Sequence, residues 1–505
     1  MTIPDLPAPA PQGLPARKTA LDWVALISGK NLIGGGLHAA GANLPVINPA
    51  TGSVLGTTAA SGAGEVDEAV RSAAGAQAGW AALPARKRGE LVAEAGRLIA
   101  GHAETLSVLL AMETGKALRT ECRGELSAAG DLAVFYGGLG SELKGETIPF
   151  DPGVLAITVR EPLGVVAAIL PWNVPLVLMM LKIAPALVAG NSVAVKASEE
   201  APFATFAVGL LMNTILPPGV LNIVSGTGLD CGSALCAHEQ VAKITFTGSE
   251  AAGQAVYEAG ARRIVPVSLE LGGKSPMIVC ADADLEKSIA GAVKGMRFTR
   301  QGQSCTAASR IYVHEDVFDA FLAGLREELD RLVIGDPLDE ETDVGTIISE
   351  KQMKTISRYV GIAESSPDID LVRCAALPQA EGLSPDLFMQ PTLIIGPPED
   401  SPLVQEEIFG PVACLMRWSD YEAVIAAANG THYGLAATVW TSDLNTALDA
   451  TKRLNSGYVQ VNQNLTIQPN LSYGGFGRSG LGREASLEAM VEFFTRKKTI
   501  AIAMT

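Results

Sequence analysis

The chain has 505 residues, too many for one hydrophobic core, so two or three domains are expected. Hydrophobic residues make up 48% of it and charged residues 18%, which excludes intrinsic disorder. The formal net charge is −16 and no Lys/Arg-rich run occurs, which argues against nucleic acid and anionic membrane surfaces as partners.

Residues 1–20, opening MTIPDLPAPAPQGLPARK, are Pro- and Ala-rich without an apolar run, and read as a mobile tail rather than a secretory signal. From about 46 to 125 a turn (NPATG, 48–52) leads into Ala-rich stretches with helical spacing, clearest in EVDEAVRSAAGAQAGWAAL. Residues 141–162, SELKGETIPFDPGVLAITVREP, read as a hairpin set apart from the α/β units. Between 163 and 275, short apolar runs (GVVAAIL, SVAVK, LNIVSG, KITFTG, VPVSLELGG) alternate with helical stretches, the βαβ pattern of a parallel sheet covered on both faces. The apolar segment 165–190 is interrupted by Pro171, Asn173, Pro175 and Lys182, so it predicts a buried strand, a turn and a buried helix rather than a membrane span. A second alternating α/β region runs from about 276 to 470. The fold class is therefore α/β, with two successive parallel-sheet units.

Seven cysteines are present, an odd number with no C-x-x-C pair. Neither a disulfide framework nor a zinc site is indicated, and a reducing, cytoplasmic setting is the simplest reading. Cys305 alone sits among small and polar residues, in RQGQSCTAASR (300–310), and looks presented rather than packed. The literal G-x-G-x-x-G, GFGRSG at 475–480, lies too near the end to open a βαβ unit and is rejected as a dinucleotide fingerprint. GGKS at 272–275 lacks the preceding glycine of a phosphate loop, because position 268 is Ser268. FTGSEAAG (246–253) follows an apolar strand and opens a helix. It is either an ordinary strand-to-helix turn or a cradle whose N–H groups meet an anion at a helix N-terminus.

Seven segments occur in order: PWN (171–173), KASE (196–199), FTGS (246–249), LELGGKSP (269–276), GQSCT (302–306), EEIFGPV (406–412) and GGFGRSGLGRE (474–484). Together they resemble the NAD(P)-dependent aldehyde dehydrogenase superfamily, from about residue 25 to the C-terminus. The resemblance implies that Cys305 attacks the aldehyde as a thiolate to give a thiohemiacetal. It implies that Asn173, with the backbone N–H of Cys305, forms the oxyanion hole. Glu270 is implied as the base for hydrolysis of the thioester, which argues against the CoA-acylating branch. Among the five histidines none lies in a motif that would suit a cysteine hydrolase.

The same resemblance assigns Trp172, Lys196, Glu199, Gly228, Gly248, Ser249, Leu271, Glu407 and Phe409 to the cofactor. A carboxylate at Glu199 would bond a free ribose 2′-hydroxyl and repel a 2′-phosphate, which favours NAD over NADP. Two positions depart from the family's pattern: Glu250 replaces the threonine after FTGS, and Arg478 replaces a lysine. Glu250 is expected to turn outward and cap the helix. The implied organisation is an NAD-binding domain (21–139 and 163–274), a catalytic domain (275–473), and oligomerisation segments (140–162 and 485–505) that include a protruding β-hairpin. A lone hairpin is marginal in water, so a homodimer or homotetramer is expected. The substrate pocket is expected at Val174, Val177, Leu178, Leu181, Thr299, Ser304, Thr306, Leu465, Ile467 and Tyr473, a mostly apolar set with no cation. That favours an uncharged apolar or aromatic aldehyde. An anionic semialdehyde is the alternative if Arg297 or Arg300 turns inward, and a non-enzymatic protein of the same fold is the reading from a different class.

Overall fold

The computed structural model describes residues 5–464 and 467–504. Strands that are apolar on both faces need a helix layer on each side, and the short apolar runs of the sequence become the middle of two such sheets. In the first, Leu221–Ser225, Ser192–Ala197, Val165–Ile169, Val241–Thr247 and Val267–Glu270 lie side by side in that order, all parallel. Helices Pro175–Val188, Phe203–Asn213 and Glu250–Arg263 provide crossovers. From Val165–Ile169 the chain winds first to one side and then to the other. The switch opens a crevice at the carboxyl ends of these strands.

Elements from distant parts of the chain complete this sheet. Lys30–Ile33 and Gly36–Ala39 form an antiparallel edge against Leu221–Ser225, and Gly480–Leu481 pairs antiparallel with Leu269 and Glu270 at the other. The second sheet has seven strands in the order Asp370–Arg373, Thr392–Ile395, Val412–Trp418, Arg310–His314, Pro276–Val279, Ala436–Trp440 and Tyr458–Val461; all but the first are parallel. A third sheet stands apart: Thr147–Asp151 and Val154–Pro162 form a hairpin, and Thr495–Ala503 pairs along the whole second strand, Thr495 opposite Pro162 and Ala503 opposite Val154.

The apolar segment 165–190 divides into the strand Val165–Ile169 and the buried helix Pro175–Val188. No helix among the described residues is long and apolar enough to cross a membrane. The expected mobile tail of residues 1–20 needs correction. From Leu14 to Ile27 the chain is helical, and Ala16, Ala20, Trp23 and Ile27 are buried in the core. Their three- and four-residue spacing gives the helix one apolar face, which outweighs the Pro/Ala-rich composition before it.

Candidate active site

The proposed catalytic and cofactor residues gather at the carboxyl edge of the first sheet. Trp172 and Asn173 follow Val165–Ile169, Lys196 lies near the end of Ser192–Ala197, Gly228 follows Leu221–Ser225, Gly248 and Ser249 follow Val241–Thr247, and Glu270 ends its strand. Cys305 comes from the second α/β unit. Helix Leu285–Met296 stops at Arg297 with φ +59°, and Gln301 and Gly302 also take left-handed backbone (φ 54° and 62°), folding the chain into a tight turn that presents the cysteine. Gly302 is obligatory there, because a Cβ would lie 1.9 Å from the carbonyl oxygen of Gly410.

Cys305 is half-buried, and its Sγ is 3.5 Å from the hydroxyl of Tyr473. Burial pushes its thiol pKa up to about 11; the Tyr473 hydrogen bond and Arg300 pull it down, whereas Glu407 and Glu270 add to the rise. Asn173 is 6% exposed and donates through Nδ2 to the Gln303 carbonyl at 3.0 Å. Glu270 is 3% exposed, and its Oε2 has no hydrogen-bond partner among the described residues. Burial, with Glu484 nearby, holds its pKa well above the usual carboxylate range. The glycines after Glu270 have a steric purpose: a Cβ on Gly272 would meet the Glu407 carboxylate at 2.4 Å, and one on Gly273 the Cys305 carbonyl at 2.6 Å.

Cys305 and Asn173 open onto a cavity of about 330 Å³. Of the residues expected at the substrate pocket, Val174, Val177, Leu178, Thr299, Ser304, Thr306, Ile467 and Tyr473 line it. Leu181 does not: one turn further along the helix its side chain is fully buried in the hydrophobic core. Leu465 lies outside the described residues. The expectation of a lining without cations is also corrected, because Arg297, Arg300 and Lys294 face the cavity together with Glu121 and Glu125. The carboxylates are matched. Glu121 accepts from Arg300 Nε at 2.7 Å and from the Thr299 hydroxyl at 2.5 Å, and Lys116 pairs with Glu125. Against the cost of burial, Arg300 and Thr299 keep Glu121 below the usual carboxylate range.

On the crevice side, Lys196 Nζ donates to Glu199 at 2.5 Å. Ser249 is the N-cap of helix Glu250–Arg263, its Oγ accepting from Ala252 N at 3.4 Å. Leu271 packs on Gly253 of that helix, where a Cβ would come within 2.4 Å of Leu271 Cδ2. A Cβ on Gly228 would meet nothing within 4 Å. Trp172 meets Phe409 edge to face, with ring centroids 5.4 Å apart. Phe409 itself holds left-handed backbone at φ 56°, a strained conformation for an aromatic residue. Glu407 accepts from Gly273 N at 2.9 Å, and burial pushes its pKa up to about 7.

The model of the aldehyde dehydrogenase family matches residues 37–500. The chain belongs to the aldehyde dehydrogenase family. It is 37% identical over 465 residues to a hydroxyisobutyraldehyde dehydrogenase of Mycolicibacterium austroafricanum, covering 92% of this chain and 91% of that one. It is 37% identical over 474 residues to a phenylacetaldehyde dehydrogenase of Pseudomonas fluorescens, covering 91% and 92%. Among solved structures, betaine aldehyde dehydrogenase from Staphylococcus aureus in complex with NAD+ superposes with a TM-score of 0.92 at 30% identity, covering 97% of this chain and 98% of that one.

The two departures from the aldehyde dehydrogenase pattern meet each other in space. Glu250 does not cap its helix, since Ser249 does. Its carboxylate instead turns to Arg478 at 2.6 Å and His432 at 3.2 Å. Two buried ion pairs behind the proposed catalytic groups leave no mark that the sequence analysis found. Lys182, 0% exposed, donates to Glu484 at 2.7 Å beneath Glu270. Lys116 pairs with Glu125 beneath Asn173 and also donates to the Asn173 carbonyl at 2.8 Å. A lysine inside the apolar run PLVLMMLKIAP was the signal for the first; no local pattern marked the second.

Proposed function

We propose that this aldehyde dehydrogenase oxidises an aldehyde to its carboxylic acid with NAD, through a thioester on Cys305. The observation that carries this reading is the convergence of Cys305, Asn173 and a buried carboxyl, Glu270, where the cavity meets the crevice. The Cys305 thiolate attacks the carbonyl carbon, and the carbonyl π electrons move to oxygen. The Asn173 amide has a second hydrogen to offer that oxygen, beside the Cys305 N–H. The nicotinamide supplies the hydride acceptor when bound. Glu270 then takes a proton from the water that cleaves the thioester, and its raised pKa strengthens its pull on that proton.

The crevice residues fit such a cofactor. Ser249 and Gly248 sit at a helix N-terminus suited to a pyrophosphate, and Lys196 with Glu199 offers a cation and a carboxylate to the ribose hydroxyls. Gly228 leaves room beside them, Trp172, Leu271 and Phe409 wall the crevice, and Glu407 is the carboxylate for the second ribose. Glu199 supports NAD over NADP.

The apolar wall of Val174, Val177, Leu178 and Ile467, with the Tyr473 ring, supports a small uncharged aldehyde, aliphatic or aromatic. A second reading, an aldehyde bearing a carboxylate, is favoured by Arg297 and Lys294 on the lining. The third sheet, with Phe150 78% exposed and Ile502 48% exposed, supports a homo-oligomer built on that surface. Seven unpaired cysteines support a reducing compartment such as the cytoplasm.

The test is NADH formation with benzaldehyde-type, long-chain, short-chain and carboxylated aldehydes, beside Cys305→Ala and Glu270→Gln. Turnover with uncharged aldehydes that vanishes in Cys305→Ala is expected. Preference for the carboxylated aldehyde selects the second reading, and equal turnover by Cys305→Ala overturns both.

A further inference from the structure

Tyr473 is more than a wall of the cavity. Its backbone is fastened by a two-way bridge to Glu484: Tyr473 N donates to the Glu484 carbonyl at 3.0 Å, and Glu484 N to the Tyr473 carbonyl at 2.7 Å. Its ring packs against Tyr458 with centroids 6.0 Å apart, and the residue is 2% exposed. The phenol therefore has little freedom to turn away, and its hydroxyl ends 3.5 Å from Cys305 Sγ, within reach of a hydrogen bond to sulfur.

We propose that Tyr473 is a catalytic residue that donates its O–H to the Cys305 sulfur, stabilising the thiolate and aiming it into the cavity. The inference rests on the reading of Cys305 as nucleophile. Tyr473 keeps its proton throughout. The thiol proton leaves to Glu270, which passes it to solvent before it takes the proton of the hydrolytic water, and the sulfur electron pair freed in this way forms the C–S bond as the carbonyl π pair moves to oxygen.

The charged and titratable groups around the sulfur make such a donor valuable. Glu270, from the end of its strand, and Glu407, from the loop before Val412–Trp418, both oppose a negative sulfur. Arg300 favours it, but this guanidinium is already engaged by Glu121. Arg297 also feels the thiolate, from the turn that carries Cys305. Tyr473 adds a neutral donor whose hydrogen bond strengthens as charge develops on its partner.

The test is the pH dependence of Cys305 alkylation by iodoacetamide in the full chain, for the wild type and Tyr473→Phe, with Cys305→Ala as background. The Phe variant keeps the ring and its packing and loses only the hydroxyl. The expected result is an alkylation midpoint about one pH unit higher in Tyr473→Phe, as for the loss of one hydrogen bond to a charged group. Below that midpoint kcat/KM should fall about tenfold, with the KM for NAD unchanged. Superimposable alkylation profiles overturn the proposal. Alkylation that persists undiminished in Cys305→Ala instead overturns the assignment of the nucleophile on which it rests.

Discussion

Replacing Lys116 by Met separates two accounts of how Asn173 is held. Lys116 and Glu125 have side chains 2% and 1% exposed, and they form a closed unit. The ammonium donates to the Asn173 carbonyl at 2.8 Å, and the other oxygen of Glu125 accepts from Leu176 N at 2.9 Å, so the pair ties down both Asn173 and the start of the next helix. An exposed ion pair contributes about 0–1 kcal/mol. Removing one partner of a buried pair leaves a charge without compensation, which costs about 3–5 kcal/mol. Burial this deep selects the larger figure. Urea denaturation should show Lys116→Met destabilised by that amount. Lys116→Met/Glu125→Leu, which removes both charges, should recover part of the loss. The kcat of the single variant should fall more than the KM for NAD rises, because Asn173 lines the cavity proposed to hold the substrate. A single variant within about 1 kcal/mol of the wild type, or a double variant less stable than the single, would refute the reasoning.

Other expectations rest on single contacts. Arg478→Met leaves the Glu250 carboxylate with His432 as its one remaining partner among the described contacts, beside the proposed pyrophosphate site, so the KM for NAD should rise, and adding Glu250→Thr should restore it; a KM unchanged in Arg478→Met contradicts this. Gly302→Ala should unfold at lower urea, since left-handed backbone alone costs a non-glycine residue about 1–2 kcal/mol and the Gly410 carbonyl leaves no room. Lys243 lies buried over the Phe493 and Phe494 rings, and burial lowers its pKa to about 7, with Glu484 opposing. An unfolded lysine keeps its proton up to about 10.4. Between these values the unfolded chain binds more protons, so this residue's contribution to stability increases as pH rises. The stability of the wild type relative to Lys243→Met should accordingly grow from pH 7 to 9.5, and an unchanged difference would count against it.

What could be read from the sequence was local. Parallel strands announce themselves as short apolar runs, and the turn around Cys305 and the strand end at Glu270 are each encoded within about ten residues. Two of the missed features join residues far apart. Lys182 meets Glu484 across 302 positions, and Glu250 meets Arg478 across 228. Neither pairing leaves a periodic trace. The cations on the cavity wall were misplaced for a related reason. An offset from Cys305 picks out Thr299, but the left-handed residues at 297 and 301 turn Arg297 and Arg300 toward the same space. The helix Leu14–Ile27 was hidden by the prolines before it, although its buried Ala16, Ala20, Trp23 and Ile27 follow helical spacing.

The central claim is that substrate becomes bonded to Cys305 and that Glu270 releases it. Glu270→Gln, mixed with NAD and an accepted aldehyde and quenched in acid within its first turnover, addresses this directly when the cysteine-bearing peptide is weighed by mass spectrometry. The account predicts an acyl adduct on Cys305 that accumulates in this variant and clears in the wild type. An unmodified Cys305 peptide alongside a full burst of NADH would contradict it.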